Sequence, residues 1–185
     1  MEIHIPTGAR KIIARLEQHG YEAYIVGGCV RDSLMGKRPS DWDICTSARA
    51  EEMMALFEDK RVIPTGIQHG TLTILAEDGA YEVTTFRIDG EYLDHRHPKS
   101  VAFTRELAED LSRRDFTINA MAMHLDGSIT DCFNGKADLK RGIIRCVGDP
   151  ERRFREDALR MLRAWRFSAQ LGFSIEEHTA RAILE

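Results

Sequence analysis

The sequence lacks a long hydrophobic run, so it contains no candidate for a helix that crosses a membrane. Its first residues, MEIHIPTGARK, contain no apolar signal-peptide core. It has only four cysteines, which form no CxxC pair and no histidine-spaced pattern typical of a zinc site. These absences predict a cytoplasmic protein with reduced thiols.

A strong net charge is also absent. The formal charge is −4 over 185 residues, which argues against a protein that coats itself in nucleic acid. The distribution is uneven, because residues 1–135 carry 15 Lys and Arg against 22 Asp and Glu, whereas residues 136–166 carry 10 against 5. The basic segment could bind a polyanion, or it could be a solvated helix face.

Length and composition, with 43% hydrophobic and 30% charged residues, indicate one globular domain or one domain and part of another. Strand and helix patterns alternate up to Pro150, and helical patterns follow it. Asn134-Gly135 predicts a turn, and Ser174 with Glu177 predicts a capping box before a last helix. That helix runs to the end of the sequence, so we expect a fragment of a longer protein. Strands are predicted at 24–26, 41–46, 71–76, 81–88, 121–125 and 143–147.

The stretch from Tyr24 to Thr46, YIVGGCVRDSLMGKRPSDWDICT, places a glycine pair between a strand and a short helix. Gly27 and Gly28 let backbone N–H groups approach an anion closely, and the helix N-terminus adds its positive end. Taken alone, such a pair is usually only a turn.

Asp41 and Asp43 stand two residues apart at the start of the next predicted strand, so their side chains should share one face. Two carboxylates on one face can hold hard divalent cations. Alone, this pair could be a solvated strand end. Beside a phosphate cradle, it predicts nucleotidyl transfer with two Mg²⁺ ions.

Glu82 lies in the 81–88 strand, where alternation places it on one face with Thr84 and Phe86. If that face adjoins the strand of Asp43, Glu82 is a third carboxylate near the metals. It could equally be an exposed strand glutamate, since alternation fixes a face but not its neighbour.

Arginines dominate two later segments. Arg113-Arg114-Asp115 could be a surface charge cluster, or two guanidinium forks for phosphate with a carboxylate that holds them. In a helix predicted from Glu156 to Leu171, four charged residues recur at steps of three, so they form a slanting row in which adjacent members could make an intrahelical ladder of ion pairs. These four are Asp157, Arg160, Arg163 and Arg166. The segment 89–100 is predicted to be a mobile loop, and its His95 and His97 have no metal-site pattern around them.

The GG…RD…DxD stretch, RRDFTINAMAM and EDALRMLRAWRF resemble, in order, motifs of the class II tRNA nucleotidyltransferase (CCA-adding) and bacterial poly(A) polymerase family. This family belongs to the DNA polymerase beta-like nucleotidyltransferase superfamily. The resemblance covers essentially the whole chain. It implies an α/β (α+β) head domain with a mixed β-sheet and flanking helices at 1–149, followed by the start of a helical neck at 150–185.

The resemblance also implies roles for the residues. Asp41 and Asp43 would hold Mg²⁺, and Gly28, Arg31 and Arg114 would contact the triphosphate beside Gly27. The four charged residues of the 157–166 segment would form the nucleotide pocket.

The implied activity is addition of CCA to tRNA 3′ ends from CTP and ATP. Poly(A) polymerase or A-only addition is the alternative within the family, and a non-catalytic RNA-binding module is the alternative outside it. The DGxYxDxRxP pattern of residues 89–98 resembles the loop of members that add A, which favours full CCA addition.

Overall fold

The structure, a computed structural model, describes residues 3–90 and 100–184. Within these residues the helices are α1 (Thr7–Gln18), α2 (Gly28–Leu34), α3 (Ala50–Leu56), α4 (Leu107–Ser112), α5 (Gly135–Arg141), α6 (Pro150–Glu156), α7 (Leu159–Leu171) and α8 (Glu177–Leu184). The strands are β1 (Ala23–Val26), β2 (Asp43–Thr46), β3 (Val62–Gly66), β4 (Thr71–Ala76), β5 (Gly79–Thr85), β6 (Arg87–Asp89), β7 (Val101–Phe103), β8 (Met121–Met123), β9 (Ile129–Asp131), β10 (Ile143–Ile144) and β11 (Ser174–Ile175).

The main sheet is mixed and has the strand order β3-β4-β5-β2-β1-β8-β9. β2 and β5 are parallel neighbours, whereas β1 runs antiparallel to both β2 and β8. Two short pairs, β6 with β7 and β10 with β11, lie outside this sheet. The predicted α/β architecture with a mixed sheet and flanking helices is therefore confirmed. No helix of the described residues has both the length and the apolar character needed to span a bilayer.

The two faces of the main sheet differ in character. One face packs against α1, α2 and α3 and forms the largest core, to which Ile44 of β2 and Val83 of β5 belong. Ile44 and Val83 are partners in the parallel ladder. Because side chains alternate along a strand, the residues just before them, Asp43 and Glu82, lie on the opposite face.

The C-terminal helices share a core with the rest of the chain. Phe116 and Ile144 pack against Ala164 and Phe167 of α7, and all four are buried. The parallel pairing of β10 with β11 adds a second connection. These contacts hold the N-terminal end of α7 beside the second face of the sheet. The domain boundary near residue 149 stays a prediction.

The predicted helix from Glu156 is wrong at its start. α6 ends at Glu156, and Asp157 has extended backbone angles, with φ −142° and ψ 102°. Its carboxylate accepts a hydrogen bond from Leu159 N at 3.0 Å, because a short acidic side chain competes well for the free N–H groups at a helix start. Asp157 therefore precedes the helical row that begins at Arg160.

Other boundaries also differ from the sequence patterns. The predicted strand 81–88 divides at Phe86 into β5 and β6, and the predicted strand 143–147 is only β10. The turn at Asn134 leads directly into α5, which the sequence patterns did not indicate. The predicted capping box at Ser174 is wrong, because Glu176 accepts the hydrogen bond from Thr179 N.

We expect Gly135→Ala to destabilise the fold by about 2–3 kcal/mol, because a methyl group there would overpack the core. An added Cβ would stand 2.2 Å from the carbonyl oxygen of Thr117. Gly20→Asn is the control, since Gly20 has φ +82° with open space around it and asparagine tolerates that conformation. Thermal unfolding of both variants measures the difference, and equal melting temperatures would contradict the packing argument.

Candidate active site

A cleft of about 750 Å³ opens on the second face of the sheet and extends to the N-terminal part of α7. It brings together nine of the eleven residues that the sequence singled out. Asp41 and Arg166 are not part of its lining. The nine are Gly27, Gly28, Arg31, Asp43, Glu82, Arg114, Asp157, Arg160 and Arg163.

The glycine pair forms part of the cleft floor. Gly27 has φ +84° and ψ −141°, a conformation that favours glycine. A Cβ at Gly27 would lie 3.5 Å from Arg114 Nη1 and 3.8 Å from Asp43 Oδ2. A Cβ at Gly28 would lie 3.5 Å from Arg31 Nη2. The missing side chains therefore leave the two guanidinium groups accessible from the floor.

Asp43 and Glu82 are neighbours across the parallel pair β2 and β5. Each stands one residue before the ladder partners Ile44 and Val83, which answers the question that the sequence left open for Glu82. Although Asp43 is exposed at its outer side, desolvation by the cleft walls and then the negative charge of Glu82 raise its pKa, while Arg114 opposes the rise. Two carboxylates that repel each other in this way favour a bound cation.

Asp41 lies just before β2, so the expectation that both aspartates stand on the strand is wrong. The strand begins at Asp43, where pairing with Val26 begins. The exposed carboxylate of Asp41 accepts a hydrogen bond from Ser40 Oγ at 2.8 Å and lines a neighbouring cleft. Its charge is still close enough to contribute to the raised pKa of Asp43.

Within residues 3–90 and 100–184, no three Asp, Glu, His or Cys side chains form a ready-made metal cage. Mg²⁺ commonly binds through one or two carboxylates, together with water and substrate phosphates. The pair Asp43 and Glu82 fits that mode.

A chain of hydrogen bonds connects α2 to α7 across the cleft. Arg31 Nη1 donates to Asn119 Oδ1 at 2.8 Å, and Asn119 Nδ2 donates to Asp115 Oδ1 at 3.2 Å. Asp115 Oδ2 then accepts from Arg163 Nε at 2.8 Å and from Arg163 Nη2 at 2.5 Å. Asp115 therefore holds an arginine of α7, rather than its neighbours Arg113 and Arg114.

Phe167 lies beneath this chain. Its ring centroid is 5.2 Å from the Arg31 guanidinium carbon and 5.3 Å from that of Arg163. Arg166 approaches the same ring at 5.0 Å. Stacking on an aromatic face fixes the plane of a guanidinium group.

Arg160 is 5% exposed and lies in the cleft wall. Its Nη1 donates to the carbonyl of Arg153 at 3.0 Å and to Glu156 Oε2 at 3.2 Å, and its Nη2 donates to the carbonyl of Arg113 at 3.3 Å. The side chain is thereby held in one orientation beside Asp157.

Asn119 and Phe167 line the cleft, and Asp110 lies behind it, although the sequence patterns indicated none of the three. Asn119 stands inside the RRDFTINAMAM motif, and Asp110 precedes Arg114 by four residues, so helical spacing could have indicated it. The predicted loop at 89–100 lies mostly outside the described residues. Its first residue, Asp89, lines the cleft.

Comparison with known proteins gives consistent matches. The family described as poly A polymerase head domain matches residues 23–145. The CCA-adding enzyme of Oceanobacillus iheyensis is 57% identical over 175 residues, which are 95% of this chain and 43% of that protein.

Two solved structures match the fold. The Bacillus stearothermophilus CCA-adding enzyme in complex with CTP has a TM-score of 0.86 and 48% identity, covering 96% of this chain and 43% of its own. The Thermotoga maritima CCA-adding enzyme complexed with tRNA has a TM-score of 0.78 and 29% identity, covering 98% and 42%. The chain thus spans less than half the length of the relatives it matches.

We expect Asp43→Asn to raise the free energy of unfolding at neutral pH when no metal is present. The folded pKa of Asp43 lies above its unfolded value of about 3.9, so ionisation costs stability as pH rises through the folded pKa. The extra free energy of unfolding of the variant should shrink as pH falls toward the pKa of Asp43 in the unfolded chain. Denaturant melts across this range measure it, and Asp59→Asn is the surface control. A gain that is independent of pH would contradict the assignment.

Proposed function

Since the chain belongs to the poly A polymerase head-domain family, we propose that it carries the catalytic site of a template-independent nucleotidyltransferase. The proposed reaction adds CCA to tRNA 3′ ends from CTP and ATP and releases pyrophosphate. The observation that supports it most is one cleft in which a carboxylate pair, a glycine floor and an arginine wall meet. The relatives named above as CCA-adding enzymes point the same way.

Mg²⁺ is the proposed cofactor, held by Asp43 and Glu82 with Asp41 nearby. When bound, Mg²⁺ stabilises negative charge on phosphate oxygens and lowers the pKa of a coordinated hydroxyl group. Arg31 and Arg114 supply donors for the triphosphate above the glycine floor, and Arg114 lies on the Asp43 side of that floor. The residues proposed for the metal and those proposed for the triphosphate thus lie in one cleft.

Base choice is proposed for Asp157 and Arg160. Cytosine and adenine both present an amino donor next to a ring-nitrogen acceptor, which match a carboxylate and a guanidinium group. Asp157 uses Oδ1 for the N–H of Leu159, and a carboxylate has a second oxygen for a base. Arg160 is oriented before any ligand arrives. Guanine and uracil would place an acceptor against the Asp157 carboxylate and a donor against the Arg160 guanidinium group.

Two further assignments follow from this proposal. Residues 1–149 would form the catalytic head and 150–185 the start of a helical neck, with tRNA contacts extending beyond this chain. The cytoplasm is the proposed location, since all four cysteines are free thiols and three of them are buried.

Asp43→Ala should reduce nucleotide incorporation by roughly a hundredfold or more, because loss of the metal ligand removes several kcal/mol of transition-state stabilisation. The assay uses the natural protein that contains this chain, a tRNA lacking CCA, Mg²⁺ and labelled CTP or ATP. Asp41→Ala is tested in parallel, and Asp59→Ala serves as the surface control. Circular dichroism should remain native. Turnover close to wild type in Asp43→Ala would refute the proposed site, and a wild-type protein that incorporates neither nucleotide would refute the function.

Asp157→Asn should weaken the preference for CTP over UTP by about 1–3 kcal/mol, the usual value of one base-edge pairing. Asparagine still caps a helix, so the fold of α7 should persist. Asp149→Asn is the matched control, because Asp149 caps α6 through the N–H of Glu151 at 3.2 Å and does not line the cleft. Calorimetric binding of CTP and UTP measures the preference. If both variants bind the two nucleotides like the wild type, Asp157 does not read the base.

A further inference from the structure

Asp110 is the most enclosed carboxylate next to the cleft, and the proposed reaction gives it no role. It lies in α4 with 0% of its surface exposed. The cleft lining does not include it, so it lies behind the arginines rather than among the groups that a ligand would touch.

Four hydrogen bonds converge on its two oxygens. Arg113 Nε and Nη2 donate to Oδ1 at 3.1 and 3.0 Å, and Arg114 Nη2 donates to Oδ2 at 3.1 Å. The backbone N–H of Arg87 donates to Oδ1 at 3.1 Å. One buried side chain thus joins two cleft arginines to the first residue of β6.

The charges make this arrangement stable. Burial acts to raise the pKa of Asp110, but the positive charges of Arg113 and Arg114 hold it below its usual value. A buried carboxylate that lost these partners would be left uncompensated, at a cost of several kcal/mol. The two guanidinium groups are therefore locked in place before any anion binds.

The hydrogen bond to Asp110 sets the orientation of the Arg114 guanidinium group. Its Nη2 binds Asp110, while its Nη1 extends over Gly27 toward the cleft and Asp43. Without Asp110, Arg114 could turn away from the glycine floor or pair with Asp43. Either movement would remove donors from the proposed triphosphate site.

We propose that Asp110 is a positioning residue that fixes Arg113 and Arg114 for the triphosphate and joins them to β6. This proposal rests on the proposed function, because it assumes a nucleoside triphosphate in the cleft. Asp110 would thus contribute to binding of the β- and γ-phosphates, and not to binding of the base.

The test is Asp110→Asn, with calorimetric binding of CTP and of CMP. CTP affinity should fall roughly tenfold or more, the value of one or two charge-assisted hydrogen bonds, while CMP affinity should change less than twofold. A variant that only loosened the fold would weaken both ligands together. If Asp110→Asn does not fold, Asp110→Glu is the second variant, because it keeps the charge but displaces it. It should also lose affinity for CTP and keep affinity for CMP.

Asp138→Asn is the matched control. Asp138 is also buried, and it binds Arg145 Nε at 3.1 Å and Thr117 Oγ1 at 2.8 Å, away from the cleft. Asp138→Asn should lower the free energy of unfolding by a comparable amount and should change the affinities for CTP and CMP by the same factor. If the Asp110 variant behaves like this control, or weakens CTP and CMP equally, the positioning role is wrong. If the wild type binds no CTP at all, the proposed function itself fails.

Discussion

The mutual repulsion of six arginines is the constraint on which the rest of the cleft depends. Guanidinium groups stay charged in proteins, so a site without ligand must supply its own counter-charges. Asp110, Asp115 and Glu156 supply them for Arg113, Arg114, Arg163 and Arg160, while Asp32 pairs with Arg31 and Asp89 with Arg87. An anionic ligand then meets donors that are already in place, which lowers the entropy lost on binding. The six are Arg31, Arg87, Arg113, Arg114, Arg160 and Arg163.

Arginines of α6 and α7 connect the two ends of the proposed nucleotide site. Arg153 Nη2 donates to the carbonyls of both Arg113 and Arg114, the latter at 2.8 Å. Arg160 donates to the carbonyl of Arg113 as well. The peptide that carries the phosphate-side arginines is therefore held by side chains of α6 and α7, next to Asp157. The residues proposed for the base and those proposed for the triphosphate are thus joined by hydrogen bonds rather than by a flexible connection.

Short sequence motifs predicted those parts of the site that lie within a single strand, turn or helix. The glycine pair is readable because glycine lets backbone N–H groups approach an anion between a strand and a helix, and Asp43 because it follows Asp41 by two residues at a strand start. Strand alternation leaves the neighbours of Glu82 open, since it cannot show that β5 pairs with β2 across the 32 residues between them. Helical periodicity continues through Asp157 and hides the break there, where the backbone is extended and the carboxylate binds the first N–H of α7. The spacing of Asp110 from Arg113 and Arg114 is local and readable from the sequence, whereas its hydrogen bond from the Arg87 N–H comes from another element and has no sequence period.

The floor at Gly27 explains why the acidic and basic groups can share one cleft. Arg114 stands between Asp110 and Asp43, with one nitrogen neutralised behind the cleft and the other directed over the glycine. The backbone of Gly27, with φ +84°, favours glycine, and a side chain there would extend toward both Arg114 and Asp43. A triphosphate with its metal ion carries both signs of charge. It would present phosphate oxygens to Arg114 and its cation to Asp43 and Glu82, which relieves the repulsion that raises the pKa of Asp43.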